Sequence, residues 1–121
     1  MHRALIAALL PLTLAACARG GLVCTDDLRS SLSVTLLDAD GEPIDGPVQY
    51  AVDGGEAESC DQIGDVVGEY VCGWEQPGEF VITASAEGHL ETEETLTIEM
   101  TEDGCHVDGQ TLEIQLEADA S

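Results

Sequence analysis

Five cysteines, at positions 17, 24, 60, 72 and 105, are the side chains with the most chemistry to offer in this chain of 121 residues. A thiolate can ligate zinc, attack a carbonyl, carry a lipid or pair with a second thiol, and spacing decides among these. Zinc sites draw Cys and His ligands from short paired spacings, whereas these cysteines stand far apart and no Cys-x-x-Cys pair occurs. Nucleophilic catalysis needs Ser, Thr or Cys beside a base that a third group orients. Beyond the first residues the only imidazoles are His89, next to Gly88 in a turn, and His106, next to Cys105. Neither falls in a recognisable catalytic motif, so the sequence assigns no catalytic residue and no cofactor, and a small hydrolase is the weakest reading.

Acids dominate what remains. There are 25 Asp and Glu against three Arg (Arg3, Arg19 and Arg29) and no Lys, for a formal net charge of −22. Phosphate backbones are bound by basic side chains that displace counterions, so nucleic acid is excluded as a partner. Anionic lipid head groups are repelled for the same reason. Asp38-Ala39-Asp40-Gly41 opens like a calcium loop. An EF-hand loop, however, needs Gly at its sixth position and Glu at its twelfth, while Gly41 is fourth and Gln49 stands where the Glu should. A β-turn explains the motif better, and Glu91, Glu93 and Glu94 read as a solvated approach to a strand, so no metal ligand is assigned.

The N-terminus carries a different signal. Met1-His2-Arg3 precedes an apolar run from Ala4 to about Ala16, interrupted only by Pro11 and Thr13. A membrane-spanning helix needs about 20 apolar residues, and Arg19-Gly20-Gly21 arrives too early. These proportions fit an export signal. Its last residues, Leu14-Ala15-Ala16-Cys17, resemble a bacterial lipobox. The resemblance implies that residues 1–16 are cleaved and that Cys17 becomes an acylated N-terminus inserted in a lipid bilayer. An ordinary signal peptide cut after Ala16 would instead leave Cys17 as an unpaired fifth cysteine. Ala18 is not the Asp that retains lipoproteins at the inner membrane of enteric bacteria, so the expected location is the outer membrane of a diderm cell.

Strands must position everything downstream. From Ser31 the dominant period is two: Leu32, Val34 and Leu36 alternate with small polar residues, and so do Val48, Tyr50 and Val52. Phe80, Ile82 and Ala84, then Leu96, Ile98 and Met100, then Leu112, Ile114 and Leu116 repeat the pattern. Alternation of this kind marks half-buried strands, and the breaks between them hold turn residues such as Asp53-Gly54-Gly55 and Gln76-Pro77-Gly78. The expected architecture is all-β, a seven-strand antiparallel β-sandwich over residues 31–118. Its strands fall near 31–37, 47–53, 56–60, 66–74, 79–86, 92–101 and 110–117. Residues 17–30 form the lipidated cysteine and a tether too polar to pack as a unit.

An exported chain sits where disulfides persist. Cys60 and Cys72 end and begin consecutive strands around Gly64, which sets them opposite each other in a hairpin. Cys24 precedes the first strand and Cys105 the last; these strands commonly lie close in a sandwich, so Cys24 is expected to pair with Cys105. Tyr70, Cys72 and Trp74 are expected on one face of one strand, an arrangement that only superficially resembles the second cysteine of immunoglobulin domains.

The stretch Asp38-Ala39-Asp40-Gly41-Glu42-Pro43-Ile44, followed by Gly46-Pro47-Val48, resembles the start of carboxypeptidase regulatory-like domains with their transthyretin-like sandwich. Gly78 through His89 is similar to that family's strand and corner, with His89 where an aromatic residue is expected. The resemblance implies a non-catalytic accessory module; the expected partner, an envelope protein or glycan, is not identified by any residue. A carbohydrate- or peptide-binding face near Tyr50, Tyr70 and Trp74 is the alternative, and calcium binding is a weaker one.

Overall fold

Leu32, Val34 and Leu36 lie on one side of strand β1 (Ser30–Leu37) and are wholly buried, because a pleated strand sends every second side chain to the same face. The same rule organises β2 (Val48–Val52), β5 (Glu69–Trp74), β6 (Gly78–Ala84), β7 (Thr92–Ile98) and β8 (Gln110–Gln115). Two further strands, β3 (Glu58–Ser59) and β4 (Asp61–Gln62), are very short. The computed structural model describes residues 24–119; Cys17 and the export signal lie outside them. Among the described residues the strands form two four-stranded sheets, β4-β5-β1-β8 and β3-β2-β6-β7. Phe80, Ile82, Val48 and Ile98 from one sheet meet Leu32, Val34, Leu36, Ile114 and Cys72 from the other to make the core of a β-sandwich.

Three expectations are corrected. There are eight strands rather than seven, since the expected strand 56–60 divides at Cys60: β3 pairs with β2, and β4 pairs with β5 in the other sheet. Both pieces are exposed on every side chain, so no buried face commits this polar segment to one sheet. The sandwich is also not purely antiparallel, because β1 and β8 run parallel from Leu32 opposite Gln110 to Leu37 opposite Gln115. Period two reveals which residues face the core and says nothing of strand direction. Finally, Trp74 does not share the burial of Tyr70 and Cys72 but is 49% exposed. Gly73, at φ +86°, turns the chain in a conformation that L residues rarely adopt. Its α-carbon also faces the Phe80 ring, which would lie 3.3 Å from any added Cβ.

Topology gives the sandwich two distinct ends. β1 and β8 begin, and β5 ends, at the end where Cys24–Arg29 enters: Ser30 stands opposite Trp74, and Leu32 opposite both Cys72 and Gln110. β6 begins and β7 ends there too, with Gly78 opposite Ile98. At the other end lie the Asp38–Gly41 turn, the loop from Ile63 to Gly68, and Ala86–Leu90. Asp45 organises part of that far end, its Oδ1 accepting from the Gly68 amide at 2.9 Å and from Gln62 Nε2 at 2.8 Å.

Candidate functional site

A polar cluster sits where the chain enters the domain. Disulfides join Cys24 to Cys105 and Cys60 to Cys72. The first brings the entering segment against the loop between β7 and β8, which sets Thr25 beside His106. Thr25 Oγ1 lies 2.8 Å from His106 Nε2, and His106 Nδ1 makes a short hydrogen bond to Glu75 Oε2. An ionised carboxylate can only accept, so Nδ1 carries a proton. Nε2 then accepts from the Thr25 hydroxyl, or donates to it when that hydroxyl is turned to Asp27.

Glu75 is the hub. Its Oε1 accepts from the Val107 amide at 3.1 Å, its Oε2 accepts from the Arg29 amide at 3.1 Å, and its own amide donates to the Arg29 carbonyl at 2.8 Å. Only Glu75 and Asp53 among the described non-glycine residues have positive φ, which is the left-handed region that L residues usually avoid. The bonded partners hold Glu75 there. Its carboxyl lies below the usual range, first because of the His106 hydrogen bond. Asp27 is held down to about 2, chiefly by the Thr25 hydroxyl and then by Arg29, whose Nε lies 3.0 Å away. Asp103 is lowered by Thr101, whose hydroxyl donates to it at 2.6 Å, and by the Cys105 amide.

Thr25, His106 and Glu75 stand in the order of nucleophile, base and orienting carboxylate. Yet the hydroxyl is shared with Asp27, and the cleft of about 430 Å³ nearby is lined by Arg29, Ser30, Ser33, Thr101 and Asp108 among others, with none of the three reaching it. Chemically the cluster acts as a clasp: one disulfide, one imidazole and one carboxylate fasten residues 24–29 to the sandwich. The segment expected to be a tether to residue 30 is thus fastened to the sandwich from Cys24 onward, while its side chains stay exposed. Sequence reasoning missed Thr25, Asp27 and Glu75; for Thr25, adjacency to Cys24 was a usable signal once Cys24 and Cys105 were paired.

The other candidates are dispersed. His89 lies at the far end, with its Nδ1 2.9 Å from the Glu87 carbonyl. Asp38 Oδ1 accepts from the amides of Asp40 and Glu42 at 2.8 and 3.0 Å, the geometry of a closed turn. Its pKa is lowered by those donors, the Glu42 amide first. Of the three aromatic residues expected to share a binding face, Tyr70 is buried, Tyr50 stacks on the core ring of Phe80 at 5.5 Å, and Trp74 alone is well exposed. They do not form one accessible platform.

No family model matches this sequence, and no curated protein matches it. Among solved structures, the major pilin subunit BcpA of Bacillus cereus aligns over 76% of this chain at 11% identity and a TM-score of 0.45. The chain spans 29% of that protein's length. The C-terminal domain of the Caf1A usher aligns over 72% of this chain and 96% of its own length, at 15% identity and a TM-score of 0.38.

Proposed function

We propose that this chain is a lipid-anchored lipoprotein of the bacterial cell envelope, held by acylated Cys17, which displays a small acidic β-sandwich as a non-enzymatic accessory module. Outer-membrane residence in a diderm cell and a carboxypeptidase regulatory-like ancestry belong to this reading. The observation that carries it is the run Leu14-Ala15-Ala16-Cys17 closing the apolar N-terminal stretch, and the fastening of Cys24 to Cys105 decides which end of the sandwich would lie nearest an anchor there. An anchor at Cys17 would act on one end of the sandwich, leaving the opposite end, with its exposed Ile63, Val66, Val67 and Leu90, to face other envelope components. The clasp residues support the non-enzymatic part, since His106 is engaged on both ring nitrogens and does not line the neighbouring cleft.

Detergent phase partitioning of the protein made in a bacterial host, wild type beside Cys17→Ser, tests the anchor. Wild type is expected in the detergent phase and the variant in the aqueous phase, because two acyl chains give stable membrane residence. Equal recovery of both in the aqueous phase defeats the proposal.

A further inference from the structure

We infer that the end of the sandwich where the chain enters is a lipid-docking surface, on which Leu28, Trp74 and Met100 rest in the head-group region of a charge-neutral bilayer. This rests on the lipid anchor proposed above and adds an orientation to it.

Three observations lead there. First, the large hydrophobic side chains left exposed among the described residues fall into two groups at opposite ends, and Leu28 (70% exposed), Trp74 (49%) and Met100 (40%) form the group at the entry end. Their common location follows from pairing: Trp74 stands opposite Ser30, the Glu75 amide donates to the Arg29 carbonyl, and Met100 bridges Val107, whose amide donates to Glu75. Second, the chain between Cys17 and Cys24 is short enough that, at roughly 3.5 Å per residue, it reaches no more than about 25 Å. The Cys24–Cys105 bridge and the Glu75 clasp prevent any lengthening of that leash by peeling residues 24–29 from the sheet. Third, tryptophan is the side chain that best suits the membrane interface, with an apolar body and one polar N–H. The chain has a single tryptophan, and it is at this end.

Charge selects the lipid. Asp26, Asp27, Glu102 and Asp103 belong to the segments at this end, with Asp27 and Asp103 turned toward hydrogen-bond donors, so anionic head groups are disfavoured. Docking is intramolecular once the anchor is inserted, so a contact too weak to bind a free domain suffices.

Trp74 also provides the probe. The full acylated protein is reconstituted in phosphatidylcholine vesicles with ordinary or brominated acyl chains, and flotation is measured beside tryptophan emission. The expected result is flotation in both, with emission clearly lower in the brominated vesicles, because the interface is where tryptophan rings settle. The Leu28→Ser, Met100→Ser double variant, altered only at exposed positions, should float equally and lose most of that quenching. Flotation with equal emission in both vesicles overturns docking and leaves the anchor standing, the end then being free for a protein partner. Quenching unchanged in the double variant also overturns it. Failure of the wild type to float defeats the anchor and the docking together.

Discussion

The Cys24→Ser, Cys105→Ser double variant is expected to lose about 4 to 5 kcal/mol of stability, on the loop-entropy relation for a bridge closing a long loop. The two cysteines are 81 positions apart, against 12 for Cys60 and Cys72, for which the same relation gives about 3 kcal/mol. The folded state suffers as well. Without the bridge, only hydrogen bonds, of Thr25 to His106 and of Arg29 to Glu75 and Asp27, retain the entry segment, and Glu75 loses part of what holds its backbone at positive φ. For a domain of this size the loss corresponds to a drop of roughly 20 to 30 °C in Tm, read by circular dichroism on the oxidised protein. A drop of a few degrees would mean that the entry segment contributes little to the fold.

Phe80→Ala should cost about 3 to 5 kcal/mol. Phe80 is fully buried midway between the sheets, stacked within 11° of parallel on Tyr50, and its ring packs against the backbone of Gly73. Nothing flexible is available to fill the space it would leave: its neighbours are strand residues locked in ladders on both sides, with Tyr50 opposite Ile82 and Val52 opposite Phe80 itself. Because small domains hold only about 5 to 15 kcal/mol in all, the variant should unfold at markedly lower urea with an unchanged m-value. A variant as stable as the wild type would show that the core lies elsewhere.

What the sequence made legible was set by amphipathic contrast. β1, β2, β6, β7 and β8 each alternate apolar and polar residues and lie within a few residues of where that alternation put them. The segment Glu56-Ala57-Glu58-Ser59-Cys60-Asp61-Gln62 has no such contrast, and there one expected strand became two, divided between the sheets. Strand direction was equally out of reach, since the parallel pairing of β1 with β8 leaves no trace in the period of either. Trp74 misled for a local reason: alternation fails across a left-handed Gly73. The clasp was hidden because polarity was read as solvation. Thr25, Asp27 and Arg29 look like tether residues until His106 and Glu75, distant in sequence, give their polar groups partners.

Exposed apolar residues gather at two opposite ends of the sandwich, and the described chain enters at one of them. The acidic sheet faces between them, with Glu93 and Glu94 on the edge strand β7, discourage association through the edges, since charged edge strands resist added pairing.

Mass spectrometry of the N-terminal peptide from membranes of a producing bacterial cell tests the central claim most directly. The account predicts a chain beginning at Cys17, with the mass of a diacylglyceryl thioether on its sulfur. A peptide that begins at Met1, or an unmodified Cys17, would contradict it.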